Sequence, residues 1–204
     1  MRNLVIATNN IHKVKEIREI LSQFDLGFKF LSINELGASI KLEETGDSFK
    51  ENATQKALQL AAITSYPVLA DDSGLEVDAL NGRPGIFSAR FAGQASTDMQ
   101  NNKKLIAELE EIPWENRKAR YRCVMALVWL DKKVYLKEGK CEGYICRTPK
   151  GENGFGYDPY FFVPLYKKTM AQLDPKIKNL ISHRALALKE MAGRIKELNL
   201  TKFN

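Results

Sequence analysis

The stretch Asn3–Phe24 restricts the fold more than any other. Asn3–Ala7 is a short apolar run of the kind that makes a buried strand, and it stops at the polar Thr8-Asn9-Asn10. Val14, Ile17, Leu21 and Phe24 then recur at helical spacing, with Asn10 placed to cap the helix. A strand that runs through a polar turn into an amphipathic helix is the opening unit of an alternating α/β chain.

The rest of the sequence continues that alternation. Phe28–Ile33 reads as a second strand. Ser48-x-x-Glu51 is a capping-box pattern that opens a helix with the apolar stripe Phe49, Ala53, Ala57, Leu60 and Ile63–Thr64. Pro67–Ala70 is a short buried strand that runs into Asp71-Asp72-Ser73-Gly74. Asn81-Gly82-Arg83-Pro84-Gly85 is turn chemistry, and Thr97-x-x-Gln100 caps a helix through Leu105, Ile106 and Leu109. Tyr121–Leu130 and Lys133–Cys141 form two strands turning at Asp131-Lys132, antiparallel because the connection is too short for a crossover. A glycine-rich loop spans Gly151–Gly156, and Tyr160–Val163 is a further short strand. Lys176 to Leu198 is helical, with Ile177, Leu180, Ile181, Leu188, Met191 and Ile195 inward, a break near Ser182 and fraying in the last few residues. The expected class is α/β: a mixed, twisted sheet flanked by helices.

At 204 residues the chain suits one domain over 1–204, or one domain with two lobes. Its 44% hydrophobic and 27% charged content is that of a globular protein and argues against disorder. The start turns polar at Thr8, too soon for a signal peptide, and the longest strongly apolar run, Cys123–Leu130, falls far short of a membrane span. Three cysteines without CxxC spacing argue against a disulfide framework and a zinc site, so a reducing cytoplasm is the expected setting. The net charge of +6 is uneven: residues 1–102 carry 10 basic and 13 acidic side chains, and the remaining residues carry 21 and 12. An anionic ligand held between an acidic, metal-binding half and a basic half would account for this. A nucleic-acid partner is weakly supported, because the basic residues are spread rather than clustered with aromatics.

Five constellations and one isolated lysine carry candidate chemistry. Thr8-Asn9-Asn10-Ile11-His12-Lys13 lies at a helix start, where backbone N–H groups and the dipole favour an anion, and Lys13 adds a point charge. The glycines of a Walker A loop are missing. Glu43-Glu44 offers carboxylates to a hard cation, or is a solvated acidic turn. Lys56 borders the buried face of its helix, as a snorkelling surface lysine or a phosphate grip. Asp71-Asp72-Ser73-Gly74 stands where open α/β sheets place ligand sites, at the carboxyl end of a strand. Two adjacent acids repel, and a cation or a proton relieves them, so metal ligation or base catalysis competes with a structural turn. The loop Gly154-Phe155-Gly156-Tyr157-Asp158 can display an aromatic ring that stacks on a purine, or can complete the core. Lys178 with Ser182-His183-Arg184 offers donors for a carbonyl or phosphate oxygen.

Taken together, Thr8-x-Asn10-x-x-Lys13, Glu44-Thr45-Gly46-x-Ser48-Phe49-x-Glu51-Asn52-Ala53, Ala70-Asp71-Asp72-Ser73-Gly74-Leu75, Pro84-Gly85-Ile86-x-Ser88-Ala89-Arg90, Gly154-Phe155-Gly156-Tyr157-Asp158-Pro159 and Ser182-His183-Arg184 closely resemble the inosine triphosphate pyrophosphatase family. The resemblance covers about residues 3 to 195. It implies a two-lobed subunit with a central substrate cleft, a homodimer, and Mg²⁺-dependent hydrolysis of ITP, dITP and XTP to monophosphate and pyrophosphate. No nucleic-acid or membrane partner is expected, given the spread of basic residues and the lack of a long apolar run. Carried onto matching positions, Thr8, Asn9, Asn10 and Lys13 would hold the triphosphate, and Lys56 would grip phosphate. Glu44, with Glu43 beside it as the open alternative, would bind metal. Asp72 would bind metal or act as base, with Ser73 beside the substrate. Phe155, Gly156, Tyr157 and Asp158 would hold base and sugar, joined by Lys178, His183 and Arg184. One departure is Asn9, where many members carry glycine; asparagine tolerates left-handed torsions, so no loss is expected.

Overall fold

The computed structural model describes residues 2–37, 40 and 42–200; the expected fraying of the last few residues falls largely outside this range. Among the described residues, seven strands form one mixed sheet: β1 (Arg2–Ile6), β2 (Phe28–Ser32), β3 (Val68–Val77), β4 (Lys118–Val128), β5 (Val134–Ile145), β6 (Phe161–Val163) and β7 (Lys168–Thr169). Their order is β2-β1-β3-β4-β5-β6-β7. β1 runs parallel to both β2 and β3, in registers that pair Leu4 with Phe30 and Val5 with Val68. β5–β6 and β6–β7 are antiparallel. The α-helices are α1 (Ile11–Leu21), α2 (Phe49–Ala61), α3 (Asp98–Glu108), α4 (Pro175–Ile181) and α5 (His183–Leu200).

The chain divides into two compact units. The first comprises the chain up to Asp72, Cys123–Gly139 and the chain from Arg184; the second comprises Ser73–Arg122 and Lys140–His183. In the first unit Leu4, Val5 and Ile6 are all fully buried. Successive strand side chains point to opposite faces, so both faces of β1 are covered, as parallel strands require. Leu4, Ile6, Leu69, Met125 and Leu127 meet Ile17 and Leu21 of α1 and Leu188, Met191 and Ile195 of α5 in one core. Truncating one of these, Leu188→Ala for example, would cost about 2–5 kcal/mol. The second unit has its own core around Leu75, Leu105, Leu109, Tyr121, Phe161 and Met170.

Local signals in the sequence account for most boundaries. Asn10 caps α1 by accepting from the N–H groups of His12 and Lys13 at 2.9 and 3.2 Å. Thr97 and Gln100 form the full reciprocal box at the start of α3. Ser182 adopts extended torsions (φ −66°, ψ 154°) and separates α4 from α5. Other expectations are corrected. The Ser48 box is half made: the Ser48 side chain accepts from Glu51 N–H, but the Glu51 carboxylate turns back to Asp47 N–H. Ile63 lies beyond the end of α2 and is exposed, as is Leu180 on α4, so neither belongs to an inward stripe. The hairpin strands reach further than expected, to Lys118 and Ile145.

The largest correction concerns β3. It is a ten-residue strand, so Asp71 and Asp72 lie inside it and not in a turn at its end. A strand can carry two acids only if each finds partners on its own face, and both do.

Candidate functional site

The first unit gathers its charges on opposite faces of β3. Asp71 is completely buried. One of its oxygens lies 3.1 Å from the Lys13 ammonium; the other accepts from Arg184 Nη2 and Nε at 3.0 and 3.3 Å. The third guanidinium nitrogen of Arg184 donates to Glu16. Lys13 and Glu16, three apart on α1, therefore both serve this cluster. Burial alone would raise the Asp71 pKa, but Lys13, Arg184 and Lys56 outweigh it and hold the carboxyl well below the usual range.

Asp72 is served by another helical pair. Asn52 and Lys56, four apart on the buried side of α2, reach its two oxygens at 3.3 and 3.0 Å. The Lys56 ammonium also donates to Glu44. Lys56 is only 4% exposed, which rules out the snorkelling alternative. Burial opposes its charge, but Asp72, Asp71 and Glu44 more than compensate and raise its pKa. Asp72 shifts the other way from Asp71: burial raises its pKa despite the pull of Lys56 and Lys13. Of the two candidate glutamates the structure brings Glu44 to this cluster. Glu43 is exposed, with its backbone N–H and C=O tied to the Gln59 side chain. The repulsion expected between Asp71 and Asp72 is relieved by strand alternation and by the surrounding cations: Lys13 and Arg184 touch Asp71, Lys56 touches Asp72, and the charges of Lys13 and Lys56 act on both carboxylates.

The strand-to-helix turn differs in detail from its expected form. The N–H groups of His12 and Lys13 are taken by the Asn10 cap, so these two donors of the helix start are already engaged. The Thr8 hydroxyl accepts from Asn10 N–H at 3.2 Å. Asn9 is exposed, its amide 3.5 Å from the Ile40 carbonyl, and it has no positive φ, so no left-handed tolerance is needed there.

The second unit holds the glycine-rich loop. Asp158, 3% exposed, accepts from the Tyr121 hydroxyl at 3.1 Å, Phe155 N–H at 3.0 Å and the Lys178 ammonium at 2.7 Å. Its carboxylate organises the loop from within. Lys178 also lies 5.0 Å from the centroid of the Phe155 ring, which is half-buried. Tyr157 is 5% exposed and donates to the Ser88 carbonyl at 2.7 Å; it completes the core. The His183 ring stacks on Tyr121 at 4.7 Å. Ser73 is half-buried and follows Asp72 on β3. Of the residues expected to hold the base, Phe155, Gly156, Tyr157, Asp158, Lys178 and His183 come together in this unit, whereas Arg184 lies in the first unit with Asp71.

Sequence reasoning missed several groups that hold these residues. Asn52 stands inside a recognised motif and on an apolar helical face, where a buried amide needs a partner. Glu16 follows Lys13 at helical spacing. Asp98 and Asn102, whose side chains bond to Gly156, carry no local signal beyond their i,i+4 spacing on α3.

The first unit thus sets buried carboxylates against two lysines and an arginine on a mixed sheet flanked by helices. The Ham1 family model matches residues 4–194, and the chain belongs to the Ham1 family. It is similar to the dITP/XTP pyrophosphatase of Desulforamulus reducens, with 52% identity over 187 residues covering 92% of each chain. It is also similar to that of Bacillus subtilis, with 47% identity over 192 residues covering 94% of this chain and 96% of the other. Among solved structures, the Staphylococcus aureus Ham1 protein matches with TM-score 0.85 and 40% identity over 96% of this chain and 99% of its own. A HAM1 protein from Coxiella burnetii matches with TM-score 0.86 and 43% identity, covering 97% and 100%.

Proposed function

We propose that this protein hydrolyses deaminated purine nucleoside triphosphates (ITP, dITP and XTP) to the monophosphate and pyrophosphate, by attack of water on the α-phosphorus. The names of its relatives support the substrate class. The observation that carries the reading is the cluster of Glu44, from the segment before α2, with Lys56 on α2 and Asp72 on β3.

The donor set fits a hard cation. Glu44 and Asp72 offer carboxylate oxygens that already share one cationic group, the Lys56 ammonium. Among the described residues no group of three His, Cys, Asp or Glu side chains is arranged around a metal. Mg²⁺ commonly binds through one or two carboxylates, with waters and substrate phosphates completing its shell. Bound here, Mg²⁺ would neutralise phosphate charge.

The remaining work falls to the chain's own groups. Lys56, with its raised pKa, supplies a fixed positive charge at the phosphates. Asp72 either joins Glu44 in holding the cation or accepts a proton from the attacking water. Asn52 fixes the orientation of that carboxylate. Thr8, Asn9, Asn10 and Lys13 contact the triphosphate, with Ser73 beside it. In the second unit Phe155 stacks on the base, Lys178 and His183 supply donors, and Tyr157, Gly156 and Asp158 shape the loop. Donors aimed at a 6-keto oxygen are left unpaired against the 6-amino group of adenine, and such a site can discriminate by roughly 10⁴–10⁵. Arg184 acts from the first unit, holding Asp71. A homodimer and a cytoplasmic site of action are part of the same proposal; among the described residues no helix is long and apolar enough to cross a membrane.

The test is pyrophosphate release with Mg²⁺ from ITP, dITP, XTP, GTP and ATP, run on wild type and Asp72→Asn. The first three are the expected substrates, and the variant, still folded, is expected to lose turnover. Orthophosphate as the sole direct product, or wild-type turnover by Asp72→Asn, would overturn the reading.

A further inference from the structure

We propose that Asp98 and Asn102 on α3 are positioning residues for base recognition, acting by clamping the backbone of Gly156. The proposal rests on the reading of Phe155–Asp158 as the base-holding loop. Gly156 N–H donates to Asp98 Oδ2 at 2.6 Å, and its carbonyl accepts from Asn102 Nδ2 at 2.8 Å. The two side chains, four apart on one face of α3, thus take both backbone polar groups of a single residue. Gly156 has φ +62°, a left-handed conformation, so the clamp holds a torsion that glycine adopts without penalty.

Asp98 would ordinarily be read as a favourable charge at a helix start. Its carboxylate instead reaches a residue 58 positions away, and a bond from N–H to an ionised acceptor is among the stronger kinds. Asn102 gives a second, independent sign. The residue is 8% exposed, and its Oδ1 is buried without a hydrogen-bond partner. An unsatisfied buried acceptor is costly. The amide is therefore oriented for the Gly156 carbonyl at the expense of its own oxygen, which packing alone would not require. The helix that presents both groups is itself fixed at its first turn by the Thr97–Gln100 box.

The flanking residues are anchored too. Phe155 N–H is held by Asp158, and the Tyr157 hydroxyl by the Ser88 carbonyl. With its N–H bound to Asp98 and its carbonyl already accepting from Asn102, Gly156 has no donor left for the base. Its part is to set the direction in which the chain leaves Phe155, and Asp98 and Asn102 fix that direction.

Asp98 is exposed, so its substitution leaves the core intact. Steady-state kinetics with ITP, and inhibition by inosine monophosphate and by pyrophosphate, would be measured for Asp98→Ala, Asp98→Asn, Asn102→Ala and, as reference, Phe155→Ala. In Asp98→Ala the KM for ITP and the Ki for inosine monophosphate are expected to rise about tenfold, with the smaller part of the loss in kcat. The Ki for pyrophosphate, which lacks a base, is expected to stay at the wild-type value. Asp98→Asn keeps an acceptor oxygen and is expected to recover most of the loss. Asn102→Ala should reproduce the Asp98→Ala pattern if it folds, and Asp98→Ala decides the matter if it does not. Wild-type inosine monophosphate binding in Asp98→Ala, or a parallel rise in the pyrophosphate Ki, overturns the clamp. If Phe155→Ala weakens inosine monophosphate binding and Asp98→Ala does not, the clamp alone fails. If Phe155→Ala has no effect, the base-loop reading fails and the clamp with it.

Discussion

Replacing Arg184 with methionine separates two roles that sequence position alone would merge. The side chain is 2% exposed, and its three guanidinium nitrogens donate to Asp71 and Glu16. Methionine fills much of the volume but leaves the fully buried Asp71 with Lys13 as its nearest cation. Removing one partner from a buried ion pair costs about 3–5 kcal/mol. A domain of this size loses roughly 2–4 °C of Tm per kcal/mol, so Arg184→Met should unfold about 6–20 °C below wild type at pH 7. The pH dependence supplies a second check. Asp71 is held below its unfolded value of about 3.9 by the surrounding cations. A carboxyl depressed in this way stabilises the fold above that value, and the contribution fades as pH falls toward the folded pKa. The gap between wild type and variant should therefore narrow below about pH 4. Arg184→Lys keeps one charge but loses the fork geometry, and should fall between the two. Thermal unfolding monitored at several pH values measures all of this. An Arg184→Met protein that melts with wild type at pH 7 and has lost its preference for ITP over GTP would refute the reasoning, because Arg184 would then be reading the base.

Two other outcomes are expected. Gly154 has φ +81°, and a Cβ there would fall 2.0 Å from Asp158 Oδ2, so Gly154→Ala must displace that carboxylate from Lys178 and Phe155 N–H. Its KM for ITP should rise at least about tenfold, the scale of one lost charge-assisted bond, and an unchanged KM would count against an ordering role for Asp158. Burial raises the pKa of Cys141 to about 11, and Cys123, also buried, is raised further, whereas Cys146 is half-buried. At pH 8 only about one in a thousand Cys141 side chains is then thiolate, so a thiol reagent should titrate one cysteine quickly in the native protein and three after denaturation. Three fast thiols in the native state would contradict the packing described.

Features set by neighbouring residues were legible in the sequence. The Asn10 cap, the Thr97–Gln100 box and the break at Ser182 follow from short-range hydrogen bonding and torsional preference, and all three stand in the structure. What escaped was set at long range. Asp71-Asp72 reads locally as a polar turn, because two adjacent acids in a buried strand look prohibitive. The strand exists because Lys13, Lys56 and Arg184, far apart in the chain, bring cations to its two faces. For the same reason Lys56 resembled a surface lysine, and Asp158 resembled a free acceptor for the base: their partners have no signature in nearby sequence.

This long-range pairing changes how the motifs are to be understood. The division between the two units falls between Asp72 and Ser73, and again between His183 and Arg184, each time inside a motif. Residues adjacent in sequence there do unlike work. His183 stacks on Tyr121 in the unit with the aromatic loop, while Arg184 holds Asp71 in the unit with the buried acids. Conversely, residues that act together are spaced three or four apart on helices: Lys13 with Glu16, Asn52 with Lys56, Asp98 with Asn102. Asn52 and Lys56 converge on Asp72 and Asp98 and Asn102 on Gly156, while Lys13 and Glu16 meet the two partners of one ion pair, Asp71 and Arg184, because side chains one turn apart lie on the same helical face. The motif blocks locate the chemistry, but helical spacing across them shows which groups work as a set. Substitutions within one such pair should therefore be more alike in effect than substitutions at neighbouring positions of one motif.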